Sequence, residues 1–278
     1  MKRIMIPIDF SETSIFALKT GLAMANRLSA DLRLVYVINK QDYARGFEQE
    51  RLSESSPART LDRLLLENRQ EYFVKDGKFD YKIRNGQVTE ELVNQARYDD
   101  TTLVVMGSHG VSGITERWIG SNAYRMICLS PCPVLIIRPD MHFDNRFRNM
   151  AITVDINKSS RQKLPTVAAV ARLFDSKLTI IGLQHTGWSS IFERVTRTMN
   201  QVERYFANTM GLTVADSILL RGKKLDEQLA QTIADSKADI IALDVKNTGY
   251  FLADRFRPFL ISVVNKSKCP VLAIPIKE

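Results

Sequence analysis

The chain has 278 residues, 45% of them hydrophobic and 25% charged, with a net charge of +8. This is the composition of an ordinary soluble globular protein, and the length suits one large domain or two of about 140 residues. No apolar run approaches the ~18 residues of a spanning helix, and the Lys and Arg form no long block or aromatic-interleaved stripe, so neither a membrane span nor a clear nucleic-acid footprint is expected.

The opening "MKRIMIPIDF" has a short apolar run broken by Asp9, which reads as a first strand, Ile4 to Ile8, and not as a signal peptide. A helix follows in "FSETSIFALKTGLAMANRL", with Ser11 able to cap it and Ile15, Leu18, Leu22 and Ala25 on one face. Leu32 to Val37 is the second strand. Residues 39–78 are helical after Pro57, with Leu61, Leu64, Leu65 and Tyr72 as candidate core contacts and "SESSP" as a surface loop. Phe79 to Arg84 is a strand, "VTEELVNQARYDD" a helix with Thr89 at its cap, and Leu103 to Met106 and Val134 to Ile137 are strands.

The pattern is then written again. "RIMIPIDFSETS" is answered by "NMAITVDINKSS", with Asp155 in the place of Asp9, and "SPCPVLIIRP" by "SKCPVLAIPI". The polar junction runs from Arg138 to Asn149. Strands alternating with helices predict a parallel sheet covered on both faces, with ligands at the carboxyl ends of the strands. Cys128, Cys132 and Cys269 are an odd number at spacings that suit no disulfide framework, and His109, His142 and His185 are scattered, so no zinc set forms. The cysteines read as buried small hydrophobes in a reducing, cytoplasmic setting.

The stretch with the most chemistry is "MGSHGVSGITERWIGSN", Met106 to Asn122. Glycine leaves no Cβ between backbone and ligand, and a glycine-rich turn entering a helix presents N–H groups together with the positive end of the helix dipole. Gly107 and Gly110 shape the turn, and Gly120 and Ser121 open the next helix. The spacing is neither GxGxxG nor GxxxxGK[ST].

Gly107, two residues, Gly110, nine residues, then Gly120-Ser121 resembles the nucleotide-binding pattern of the universal stress protein family. "MIPIDFSETS" and "PCPVLII" resemble the same family, over residues 1–138 and more weakly over 149–278. The resemblance implies two tandem α/β domains, residues 1–140 and 149–278, each a five-stranded parallel sheet sandwiched by helices. The fold is Rossmann-like, of the adenine nucleotide alpha-hydrolase-like kind. It also implies ATP, accompanied by Mg²⁺, at the strand ends of the first domain. Asp9 is then placed near the adenine or ribose, with local capping as its other role. Pro7, Val37 and Met106 line the base pocket. The N–H groups around Gly107, Gly110, Gly120, Ser121 and Asn122 hold ribose and phosphates, and His109 is either a phosphate contact or a surface histidine.

The second copy lacks this loop. An offset of 137 sets Asp244 on Gly107, Asn247 on Gly110, Arg257 on Gly120 and Pro258 on Ser121. These residues add negative charge and bulk and remove an N–H donor, so the degenerate copy is expected to bind no triphosphate in that mode. No arginine finger or metal carboxylate pair is assignable, and Glu116 and Arg117 in the loop read as solvent-facing. The reading is an ATP-binding, nucleotide-responsive stress protein with at most slow hydrolysis, more an adenine nucleotide binder than an enzyme. The alternative is a scaffold or interaction protein whose second domain takes another ligand, with "FLADRFRPFLISVV" either a partner surface or a helix with a buried face of Phe256, Phe259, Leu260 and Val263. The apolar strands Val134 to Ile137 and Val271 to Ile274 read as terminal in their sheets, edges that need a partner; the family resemblance implies that they pair in an intramolecular pseudo-dimer and leaves a homodimer open.

Overall fold

A computed structural model of the chain describes residues 2–39, 56–109, 119–141, 146–184, 188–246 and 257–277. The chain divides into two units, the first of residues 1–116 and 120–139 and the second of residues 117–119 and 140–278.

In the first unit the β-branched runs form β1 (Arg3–Pro7), β2 (Asp31–Ile38), β3 (Phe79–Asn85), β4 (Leu103–Gly107) and β5 (Val134–Ile137). They are parallel, in the order β3-β2-β1-β4-β5. Between them run α1 (Glu12–Leu28), α2 (Pro57–Asn68), α3 (Val88–Tyr98) and α4 (Ser121–Leu129). The chain leaves β1 towards β2 on one side, while β4 lies on the other side of β1. The carboxyl ends of β1 and β4 are therefore the topological switch point of this sheet.

The second unit repeats the plan with β6 (Asn149–Val154), β7 (Lys177–Gln184), β8 (Val214–Arg221), β9 (Ile240–Lys246) and β10 (Val271–Ile276), in the order β8-β7-β6-β9-β10. Its helices are α5 (Leu164–Phe174), α6 (Ser189–Arg204), α7 (Leu225–Asp235) and α8 (Arg257–Lys266). β5 and β10 each end their own unit's sheet, as their apolar sequences predict.

Local sequence explains the helices. Ser11 caps α1, its Oγ accepting from the Ser14 N–H at 3.2 Å. Leu18, Leu22 and Ala25 are buried and Ile15 half-buried, so the predicted face points inward. Gly21 lets that face touch the sheet, because a Cβ there would lie 2.3 Å from Ile6 Cδ1. α2 starts at Pro57 behind a Ser56 cap. It buries Leu61, while Leu64 and Leu65 are half-buried, and Tyr72 is buried beyond the helix with its hydroxyl on the Ala30 carbonyl at 3.0 Å. In α8, Leu260 and Val263 are buried and Phe259 is half-buried, which favours the buried-face reading; Phe256 is outside the described residues.

Thr89 is not the cap of its helix. α3 begins at Val88 with Gln87 as an N-cap that makes no side-chain bond, and Thr89 sits inside the first turn. Its hydroxyl is turned to Asn122 Oδ1, 3.4 Å away, so a tertiary partner takes the group that sequence assigns to capping.

All three cysteines are free and buried. Burial pushes the Cys132 and Cys269 thiols up to about 11. The two copies share one turn: Ser130 Oγ donates to the Cys132 carbonyl at 2.7 Å, and Ser267 Oγ to that of Cys269 at 2.8 Å. No helix among the described residues is long and apolar enough to cross a membrane.

The amino end of the first sheet is held by buried charge. Arg33 on β2 grips Asp80 through two bonds of 2.7 and 2.6 Å and reaches Asp99 at 2.7 Å. Arg3 on β1 reaches Asp99 at 3.0 Å and Asp31 at 3.1 Å. Gln95 holds the second oxygen of Asp99 at 2.8 Å. These carboxylates raise the pKa of Arg33 above its ordinary value, led by the Asp80 bond and opposed by burial.

Two predictions follow from this packing. Two guanidinium groups here face three carboxylates, so Arg33→Met leaves buried carboxylate charge uncompensated and should destabilise the chain by about 3–5 kcal/mol, read as a lower urea midpoint. With thiols titrating near 11, Cys132 and Cys269 should react with a thiol reagent at pH 8 only at the rate of unfolding. Rapid labelling of the folded chain contradicts their burial.

Candidate functional site

The switch point of the first unit gathers most of the residues singled out in the sequence. Pro7 ends β1, Val37 lies near the end of β2, and Met106 and Gly107 end β4. Val37 and Met106 are buried. Ser108 continues the sheet, its N–H bonding the Ile137 carbonyl at 3.0 Å, and the chain reaches His109. Gly110 lies outside the described residues, as does the loop with Glu116 and Arg117.

Asp9 has the capping role. Its Oδ1 accepts from the Ser11 N–H at 3.1 Å and the Ser11 hydroxyl at 2.5 Å, which fixes the turn into α1. A polar line then crosses to β4. Ser11 Oγ meets Thr13 Oγ1 at 3.0 Å, and Thr13 Oγ1 donates to the His109 carbonyl at 2.6 Å. His109 Nδ1 shares a 2.7 Å bond with Ser108 Oγ. The start of α1 thus holds the first residues after β4 in place.

Packing gives Gly107 a reason to be glycine that the sequence does not show. A Cβ there would sit 2.8 Å from Thr13 Cβ and 2.9 Å from Thr13 Oγ1. The missing side chain admits the first turn of α1, and no positive φ is used. The strained backbone falls instead on Phe10, at φ 64, a left-handed conformation that costs a non-glycine residue roughly 1–2 kcal/mol. Phe10 is held there by stacking on Tyr36, with ring centroids 5.0 Å apart. Neither residue carries a recognisable sequence signal.

Gly120 is the N-cap of α4 in extended geometry, φ −66 and ψ 153. Its N–H bonds the Ser108 carbonyl at 2.7 Å, so this amide is not among the donors open to a ligand, contrary to the expectation from sequence. That bond brings the helix start against the end of β4. Gly120 makes no side-chain cap, and Ser121 and Asn122 are exposed in the first turn. Their amides, with the positive end of the helix dipole, suit an anion. The Asn122 side chain is turned to Thr89. Uncapped amides beside a bare strand end fit the phosphates of a nucleotide. No cluster of three or more His, Cys, Asp and Glu side chains that could hold a metal ion exists among the described residues.

The equivalent place in the second unit is filled. Asp244, at the Gly107 position, accepts from Ser160 Oγ at 2.8 Å and pairs with the Lys163 ammonium. Lys163 is 1% exposed. Ser160 and Lys163 sit in the short 3₁₀ helix Lys158–Lys163 before α5, where α1 places its own start in the first unit. The shallow cleft beside them, lined by Asp155, Asn157, Thr198 and Val202 among others, is too narrow to hold a water molecule. Asp155 again caps its own turn, Oδ1 accepting from the Asn157 N–H at 2.8 Å. Sequence comparison finds Asp244 but not Lys163, whose partner is 81 residues away.

A model of the Universal stress protein family matches residues 1–138. The Universal stress protein YxiE of Bacillus subtilis (strain 168) is 28% identical over 153 residues, covering 49% of this chain and 98% of its own length. The Universal stress protein MJ0531 of Methanocaldococcus jannaschii is 29% identical over 145 residues, covering 49% and 82%. The solved structure of a universal stress protein from Archaeoglobus fulgidus DSM 4304 superimposes on 99% of this chain and 96% of its own, with TM-score 0.73 and 18% identity, a likeness of fold.

The filled site makes a clear prediction. Lys163→Met leaves Asp244 without its counter-charge and should cost about 3–5 kcal/mol in urea unfolding, whereas Lys163→Met with Asp244→Leu should recover most of the loss. A single variant as stable as the parent chain contradicts the buried pair.

Proposed function

The N-terminal half of the chain belongs to the universal stress protein family, and from that premise we propose that the first unit binds one ATP at the carboxyl end of its sheet while the second binds none in that mode. In this reading the protein is a nucleotide-responsive stress protein with at most slow hydrolysis, and Mg²⁺ travels with the phosphates. Pro7, Val37 and Met106 surround the base. The Ser121 and Asn122 amides take phosphate oxygens, with the unplaced Gly110 assigned to the same cradle. Asp9 orders the β1–α1 turn and offers its carboxylate edge to the ribose.

The observation that carries the reading is the contrast between the copies. The first unit has no charged side chain at the end of β4, where the neutral Thr13 packs on Gly107, and an uncapped helix start at Gly120. The second holds Asp244 and a buried Lys163 at the corresponding strand end. The Asp244–Lys163 pair is neutral as a whole and stands against a triphosphate by occupying the corner with side chains. The same contrast favours, for the second unit alone, a role in contacts other than nucleotide binding.

Ser121→Pro tests the phosphate contact with little damage to the fold. Proline is tolerated at the first helical position, and Gly120 already has the extended geometry that a residue before proline requires. The substitution removes one amide donor and one hydroxyl. Loss of a hydrogen bond to a charged oxygen is worth about 1.5–3 kcal/mol, so affinity for labelled ATP should fall by at least ~10-fold with the melting temperature unchanged. Unchanged affinity contradicts the proposed cradle.

A further inference from the structure

The sequence shows no basic stripe, yet the fold of the second unit assembles a basic and aromatic surface from separate segments. Gln184, the last residue of β7, joins them. Its carbonyl accepts from the Gly222 N–H at 3.1 Å, and its side-chain amide donates to the Trp188 carbonyl at 3.4 Å. Trp188 precedes α6 and is 75% exposed. One turn later is Phe192, also exposed, with the Arg221 guanidinium 4.1 Å from its ring centroid. Beyond Arg221, the turn into α7 carries the exposed Lys223 and Lys224.

The internal repeat supplies a control. The first unit makes the same turn after β3: Gly86, at φ 147, bonds the Ile38 carbonyl at 3.0 Å, as Gly222, at φ 110, bonds that of Gln184. There the turn reads Asn85-Gly86-Gln87-Val88, and here it reads Arg221-Gly222-Lys223-Lys224. One backbone device carries three cations in the second unit and none in the first. Net charge follows the same division. Residues 1–139 hold 19 Lys and Arg against 17 Asp and Glu, and residues 140–278 hold 20 against 14. Lys224 is tied to Glu227 at 3.1 Å, which leaves Arg221 and Lys223 as the stronger attractors of an anionic partner.

We propose that this surface, Trp188, Phe192 and Arg221 with Lys223 and Lys224, docks single-stranded nucleic acid. An exposed indole and a guanidinium laid on an aromatic ring both offer flat faces on which bases stack, and the lysines attract the phosphate backbone. Duplex recognition needs an element that enters a groove, whereas a flat aromatic–cation patch needs splayed bases. A membrane surface fits less well, because the Phe192 ring is covered by Arg221 and Trp188 alone remains to enter lipid. The proposal is independent of nucleotide binding in the first unit.

The test is fluorescence anisotropy of a labelled oligouridylate of about 12 nucleotides, the span of a compact single-strand site, titrated with the full-length chain. Binding should appear at about 50 mM salt and weaken steeply towards 200 mM as counterions compete for phosphate. Trp188→Ala should weaken it by at least ~5-fold, the lower end of the loss of one stacked base. Lys223→Glu with Lys224→Glu should weaken it by at least ~10-fold while the melting temperature stays that of the parent chain. In a Trp118→Phe chain, the remaining Trp188 emission should be quenched on binding. Absence of binding at about 50 mM salt, binding that neither variant changes, or unquenched Trp188 overturns the proposal. Capture by phosphatidylglycerol vesicles without oligonucleotide binding overturns it in favour of a lipid surface.

Discussion

The close approach of the first turn of α1 to the end of β4 governs the first unit. Thr13 fills the space a Gly107 side chain would need, and its hydroxyl holds the His109 carbonyl. The contact ties the two sides of the switch point together and aims the chain after β4. The Gly120–Ser108 bond then brings the start of α4 to the same edge. Two contacts thus shape this edge: Gly107 admits α1, and the Gly120–Ser108 bond sets the uncapped start of α4 beside the end of β4.

The second unit meets the same requirement by another route. Its strand end carries Asp244, and the approaching turn supplies Ser160 and Lys163 to satisfy it. A carboxylate and an ammonium buried together are tolerable only as a pair, so the two substitutions depend on each other. Duplication left two copies of one architecture in which the same corner is open backbone in one and a closed ion pair in the other. Freed from that corner's chemistry, the second unit carries its distinctive charge at the ends of β7 and β8.

Much of this was legible in the sequence. The five-strand plan of each unit, the Ser11 cap and the buried face of α1 follow from local pattern, and Val134 to Ile137 matches its strand from end to end. Nothing in the sequence signals that a side chain at Gly107 would meet Thr13, 94 positions earlier in the chain. Local pattern also misled. Thr89 has the residue type of a cap, but Asn122 offers its hydroxyl a tertiary partner. Lys163, the Phe10 strain and the Trp188–Arg221 surface were invisible, because each is defined by a contact between segments far apart in sequence. Gly110 lies outside the described residues, so its place in the cradle rests on the family pattern alone.

The most direct test of the account is the stoichiometry of ATP binding to the intact chain by titration calorimetry. One site per chain, retained when Asp244 and Lys163 are replaced by Leu and Met, is the predicted result. Two equivalent sites in the parent chain, or a single site that is lost with the Asp244–Lys163 pair, would place the nucleotide in the second unit and contradict the assignment of the open corner to the first.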